Sequence, residues 1–166
     1  MSRRVVLDCL AFARESGFLQ GDLLVETLTR VHDSLSESTG RLQYRIAGRI
    51  GHRKRPQLLV EVDGDLSLRC QRCLEPLAYP LRLRNLLEFV DDDGDLTQEE
   101  VEDDSRDFLP LPEALDVATL VEDEVILALP AVPRHADCVL PGAMREEEAT
   151  SQSPFSVLAA FKGRPQ

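Results

Sequence analysis

The chain has no tryptophan, and aromatic residues make up only 5% of its 166 positions. A core must therefore be assembled mainly from leucine, valine and alanine. No stretch of eighteen consecutive apolar residues occurs, which excludes a transmembrane helix. The start, Ser2-Arg3-Arg4-Val5-Val6-Leu7, has the look of a twin-arginine export signal. Asp8, Arg14 and Glu15 interrupt the apolar stretch that such a signal requires. The expectation is a cytoplasmic protein, its four cysteines reduced or metal-bound and not paired as disulfides. Apolar residues reach 43%, enough for a folded chain, and the length suits one domain spanning 1–166.

The formal charge of −11 argues on its face against a nucleic-acid partner, but its distribution is uneven. Residues 1–60 hold ten basic and six acidic side chains, whereas 91–128 hold fifteen acidic and one basic. The first third is basic and the middle is acidic.

Side-chain alternation predicts strands. From 41 to 50, Leu42, Tyr44, Ile46 and Ile50 share one face, and Arg41, Gln43, Arg45 and Arg49 share the other. Gly51 to Pro56 reads as a basic turn. Leu58, Val60, Val62, Gly64, Leu66, Leu68 and Cys70 then keep a single parity, which predicts one long strand bent at Gly64, with a hairpin at Asp63-Gly64 as the alternative. A third run holds Leu77, Tyr79, Leu81, Leu83, Leu87 and Phe89, with Pro80 marking an edge or a strand start. The sum is an antiparallel meander of at least three strands. Residues 91–107 read as an acidic loop. Asp116 is a plausible N-cap for a helix to Leu129, stopped by Pro130, with Val117, Leu120, Val121, Val125, Leu127 and Ala128 apolar and Glu122 and Asp123 wet. Thr27 to Leu35 suggests a further helix. Ser153-Pro154 opens a helical segment to about residue 162, whose stripe of Phe155, Leu158, Ala159 and Phe161 suits docking on the body or binding a partner.

Three stretches taken together resemble the bacterial YceD family, the large ribosomal RNA subunit accumulation proteins. They are Leu68-Arg69-Cys70-Gln71-Arg72-Cys73-Leu74-Glu75-Pro76; the helix from Asp116 to Pro130 with Pro133, His135 and Cys138 behind it; and Ser153-Pro154-Phe155-Ser156-Val157-Leu158-Ala159. The resemblance covers about residues 40 to 162. It implies a role in the synthesis, processing or stability of large-subunit (23S) ribosomal RNA, and it brings no reaction with it.

Cys70 and Cys73 have the spacing at which one short knuckle aims two thiolates at a tetrahedral ion, and His135 and Cys138 could complete the set. One structural zinc ion is the sharp reading, and small buried thiols in a tight turn are the plain one. A redox pair would normally open a helix, whereas here Leu74-Glu75-Pro76 leads toward a strand. Cys9 is an apolar position in the first segment.

Arg41, Arg45, Arg49, Arg53, Lys54 and Arg55 fall within sixteen residues without a carboxylate, and Arg69 and Arg72 flank the knuckle. Guanidiniums fork onto phosphates, so these eight are the candidate RNA-binding residues; an ordinary solvated strand face is the alternative. The acidic loop could solvate the chain, contact a basic ribosomal protein, or fold over the arginine strand until RNA displaces it. Its carboxylates lack the register of a calcium loop and the rigid setting of a catalytic pair.

The expectation is thus an α+β fold: an antiparallel sheet or partial β-barrel with helices packed mainly from the C-terminal half. The function expected is that of a non-enzymatic ribosome-biogenesis factor that binds RNA or a pre-ribosomal particle, with no membrane and no small-molecule substrate. A protein-interaction adaptor, using the acidic loop and the C-terminal helix to hold a basic ribosomal or assembly protein, is the rival. A metal-dependent ribonuclease is a weaker one, since a closed set of four protein ligands leaves no position for a water.

Overall fold

The alternation that begins at Arg41 becomes a sheet built around one long strand. The computed structural model describes residues 5–91 and 96–140. The expected C-terminal helical segment at 153–162 lies outside the described residues. Strands β1 (Val6–Leu7) and β2 (Phe18–Leu24) flank helix α1 (Cys9–Arg14). Two 3-10 turns (Val25–Thr27 and Thr29–Ser34) lead to β3 (Leu35–Glu37), so the helix expected near Thr27–Leu35 is realised in the tighter geometry. Strands β4 (Arg41–Ile50), β5 (Pro56–Arg69) and β6 (Pro76–Val90) form the antiparallel meander. Helix α2 (Gln98–Val101), β7 (Asp107–Pro110), β8 (Leu115–Asp116) and helix α3 (Val117–Ala128) complete the order.

The sheet is open, in the order β2-β4-β5-β6-β7, and only the β6–β7 pair is parallel. The fold is mixed α+β, with its longest helix from the C-terminal half, as expected. Strand β5 is continuous, so the bend reading and not the hairpin describes Gly64. A Cβ at position 64 would stand 2.9 Å from the Arg41 carbonyl oxygen and 2.5 Å from a Leu42 methyl, and glycine permits that approach. Past that point β4 ends and β3 takes its place beside β5, pairing Leu35 with Leu68. Pro80 pairs with Asp65 beyond the reach of β7, where β6 is an edge and needs no second partner.

The core lies on the even-numbered face of β4 and β5. Leu42, Tyr44, Ile46, Leu58, Val60, Val62, Leu66 and Leu68 are buried against Leu81, Leu87 and Phe89 of β6 and Val117, Leu120, Val121 and Val125 of α3. Cys9 is buried in α1 as an apolar group, and burial pushes its thiol up to about 11.

Helix α3 starts as expected. The Asp116 carboxylate accepts from the Thr119 N–H at 2.9 Å, and the helix stops before Pro130. Two of its residues depart from the sequence expectation. Leu127 is 75% exposed, because the core takes only a narrow stripe of the helix. Glu122, expected to be wet, is 8% exposed: its carboxylate accepts from the Arg30 backbone N–H at 2.7 Å and from Arg30 Nε at 2.9 Å. It fastens α3 to the 3-10 segment, a contact between residues 92 positions apart.

These positions separate two leucines of one helix. Leu120→Ala removes a buried side chain and should cost about 2–5 kcal/mol, whereas Leu127→Ala should stay within about 0.5 kcal/mol of the parent. Urea unfolding of the two variants checks this, and equal losses would contradict the packing described.

Candidate metal centre and basic hairpin

The turn between β5 and β6 is short and tight. The Cys70 N–H donates to the Glu75 carbonyl at 3.0 Å, and the Leu74 N–H returns to the Cys70 carbonyl at 2.9 Å. Leu74 adopts a φ of 66°, which turns the chain sharply into Pro76. Because Cys70 keeps the inward parity of β5, its thiol is buried, while Cys73 on the far side of the turn is half-buried. The segment after α3 returns to this turn, where the Gln71 N–H donates to the Pro133 carbonyl at 2.9 Å. That return brings His135 and Cys138 onto the two knuckle cysteines.

The four ligand atoms of Cys70, Cys73, His135 and Cys138 lie within 4.8 Å of one another and could hold one metal ion. Cys70 Sγ is 3.6 Å from Cys138 Sγ, and Cys73 Sγ is 3.3 Å from His135 Nδ1. The first separation is far longer than a disulfide bond. His135 Nε2 lies 3.0 Å from the Pro76 carbonyl oxygen. That oxygen can only accept, so the ring donates from Nε2, and in its neutral form it leaves the Nδ1 lone pair facing the sulfurs.

Electrostatics favour thiolate at Cys70 and Cys138, whereas at Cys73 the Glu75 backbone N–H is outweighed by burial and the neighbouring sulfurs, which push the thiol up. Burial works against ionisation of Cys70, but the backbone N–H groups of Cys73, His135 and Arg72 outweigh it and bring the thiol down to about 5. Cys138 is likewise lowered against its own burial, chiefly by the Arg72 guanidinium. Hydrogen bonding to Cys70 and Cys138 raises His135. Sulfurs this close repel one another as anions unless a cation or shared protons stand between them.

Arg72, placed by the sequence in the basic patch, is built into this centre. Its Nε donates to Cys138 Sγ at 3.0 Å, and its Nη2 donates to the carbonyls of His135 and Ala136 at 2.8 and 3.2 Å. Arg69, at the end of β5, is exposed.

The remaining candidate residues follow β4 to the opposite end of β5. Arg41, Arg45 and Arg49 all face solvent on the odd-numbered side. Each has a partner on a neighbouring strand: Asp22 at 3.3 Å for Arg41, Asp63 at 3.7 Å for Arg45, and the Gln57 side-chain oxygen at 2.7 Å for Arg49. At the hairpin tip the Arg55 N–H donates to the His52 carbonyl, and Arg53 and Lys54 between them have φ of 55° and 60°. Two central residues at positive φ mark a type I′ turn, normally the place of Asn-Gly. Arginine and lysine adopt it at a cost of roughly 1–2 kcal/mol each.

Where sequence pattern alone suggests a solvated acidic loop over 91–107, its described part folds back onto this tip. Thr97 and Glu100 form a capping box that starts α2. The Glu100 carboxylate bridges two guanidiniums, Arg53 at 3.2 Å and Arg55 at 3.0 Å. Beneath them Glu88, 1% exposed on the face of the sheet opposite the core, accepts from Arg55, Arg106 and the Gln57 amide. Glu88 and Glu100 sit some 33 and 45 positions beyond Arg55. Neither spacing nor composition signals that they are its counter-ions.

Residues 58–162 match the family described as "Large ribosomal RNA subunit accumulation protein YceD". A curated protein of that name from Haemophilus influenzae is 35% identical over 122 residues, which cover 64% of this chain and 68% of the relative. No solved structure matches the chain. The matched stretch contains both halves of the cysteine–histidine centre together with β5, β6 and α3, and the chain belongs to the YceD family.

Proposed function

We propose that this chain supports accumulation of large-subunit ribosomal RNA by binding, without catalysing a reaction, and that a zinc ion in its cysteine–histidine centre holds the knuckle and the segment after α3 together. The name of the family and of the Haemophilus influenzae relative supports the ribosomal role. The partner is RNA itself or a pre-ribosomal particle that displays it.

The separations between donor atoms support zinc. With Zn–S bonds of about 2.3 Å and a Zn–N bond of about 2.0–2.1 Å, tetrahedral edges come to roughly 3.8 Å between sulfurs and 3.6 Å between sulfur and nitrogen. One sulfur pair stands at 3.6 Å and one sulfur–nitrogen pair at 3.3 Å, and all four donor atoms lie within 4.8 Å of one another. Three sulfurs and one imidazole are the donors of a structural site with no open position for water, which speaks against a hydrolytic role. The free energy of binding the ion would add directly to folding.

The observation that carries the RNA reading is the placement of Arg41, Arg45, Arg49, Arg53 and Lys54, all exposed, along one strand and its turn. Exposed ion pairs such as Arg41–Asp22 and Arg45–Asp63 are worth about 0–1 kcal/mol, so a phosphate can displace the carboxylate. Guanidinium binds phosphate through two parallel hydrogen bonds, a stronger contact than these single ones.

Two measurements test the two halves. Purified protein should contain one zinc ion per chain by elemental analysis at neutral pH. The ion should leave as pH falls, because protons compete for the thiolates and the imidazole. Chelation should lower the melting temperature, and Cys73→Ser should do the same without chelator. A metal-free preparation whose melting is indifferent to chelator would refute the zinc assignment. Replacing Arg45, Arg49 and Arg53 by Gln should weaken binding to transcribed large-subunit ribosomal RNA and flatten its salt dependence by about one unit per lost phosphate contact. Unaltered binding and salt slope would refute the RNA face. Partners that survive nuclease treatment of a pull-down would favour the adaptor.

A further inference from the structure

Helix α2 is attached to the body in an unusual way. It is four residues long, too short to persist by itself, and its one apolar residue, Val101, is 68% exposed. Its contact with the sheet runs through charge: the Glu100 carboxylate, with one oxygen on Arg53 and the other on Arg55. A carboxylate that offers an oxygen to each of two guanidiniums presents the geometry of a phosphate group on the same pair.

The surface beneath is arranged in advance. Arg55 is 11% exposed and rests on Glu88, which also takes Arg106, so the Arg55 guanidinium is locked in place. Arg53 and Lys54 are held outward by a turn whose backbone disfavours both of them. Strain kept at a tip that carries two cations points to a use for those cations there. A cavity of about 460 Å³ beside the tip is lined by Arg14 of α1 together with Arg53, Lys54 and Arg55, with Asp91 the one carboxylate among its lining residues. Four cationic side chains from two separate parts of the chain thus border one hollow.

We propose that the β4–β5 hairpin tip, with Arg14, Arg53, Lys54 and Arg55, is the principal phosphate-binding site for the RNA backbone, and that Glu100 of α2 occupies it in the free protein as an internal substitute for phosphate. The inference rests on the RNA reading above and goes beyond it by ranking the tip over the sheet face and by making binding competitive with α2. RNA has to displace Glu100, and α2, whose one apolar residue Val101 is exposed, gives up its described ion pairs with Arg53 and Arg55 when it does. Resting affinity for stray polyanions is thereby kept low.

Glu100→Gln separates the two roles of this side chain. Glutamine still completes a capping box, so α2 keeps its start, while the charge that competes with phosphate is removed. The variant should bind transcribed large-subunit ribosomal RNA at least roughly threefold more tightly in filter binding, since it removes the competing charge from half-exposed Arg53 and from Arg55, which is 11% exposed. Its melting curve should remain cooperative. Adding Arg53→Gln and Lys54→Gln to Glu100→Gln should abolish the gain. If Glu100→Gln binds no more tightly than the parent while Arg45→Gln with Arg49→Gln still weakens binding, the gated tip is overturned and the RNA reading stands. If neither the parent nor Glu100→Gln binds RNA, both fall.

Discussion

Strand β5 keeps one side-chain parity from Leu58 to Cys70, and the rest of the structure depends on that constraint. Even-numbered residues point into the core, and a shift of one residue would turn every one of them to solvent. The same parity delivers Cys70 inward at the end of the strand, buried beneath the knuckle, where a thiolate is useful only if a cation or donor N–H groups meet it. It also delivers Gln57 to the opposite face at the other end, beside Glu88 and under the hairpin tip. One strand of fourteen residues, roughly 45 Å at about 3.3 Å per residue, thereby sets the two candidate sites at its two ends.

The two ends are fastened by different means. At the knuckle the donors are soft, close together and closed off, and Arg72 clips the returning segment to the turn through one sulfur and two carbonyls. Such an arrangement resists opening, because loss of one member leaves part-buried polar atoms without partners. At the hairpin tip the fastening is ionic and reaches solvent, and each member can exchange its partner for another of the same charge. Rigid anchorage at one end and exchangeable charge at the other are consistent with the reversible polyanion binding proposed above.

Much of this was legible in the sequence wherever periodicity carries the information. The runs from Leu42 to Ile46, Leu58 to Cys70 and Leu77 to Phe89 show their buried faces directly, and Asp116 with Pro130 brackets α3. The two short cysteine and histidine spacings identified all four members of the donor cluster. What could not be read depends on which strands become neighbours. The pairing of Asp22, Asp63 and Glu61 with Arg41, Arg45 and Arg84 follows from register, which no local pattern encodes. Leu127 has the residue type of a core position but sits on the far side of α3, and Glu122 is hidden only because Arg30 meets it from a distant segment. Arg72 is indistinguishable from Arg69 in composition, and only the return of residues 133–138 to the knuckle separates a latch from a surface cation. The N-terminal α1 and β2 escaped notice because both are short, and Gly21 breaks the apolar alternation of β2 where Tyr44 crosses it.

A chain of net charge −11 is an unlikely ligand for RNA only if its charges act as a sum. They do not. Glu88, Glu100 and Asp103 are bound to Arg55, Arg53 and Arg106, and Glu122 is committed to Arg30, so several carboxylates of the acidic middle are neutralised within the fold. Glu124, buried beneath Asn85, has its acid form favoured by that burial. At physiological ionic strength exposed charges more than about 8 Å apart scarcely sense one another. A polyanion approaching the β4–β5 tip would therefore meet the local field of Arg14, Arg53, Lys54 and Arg55, offset by Asp91 and Glu88 and further reduced while Glu100 is bound there. Removing one carboxylate from that place changes the local field more than removing several from the remote acidic surface. The described part of the acidic segment, at odds by composition with the proposed RNA partner, becomes in this geometry a counter-ion whose position matters more than its charge.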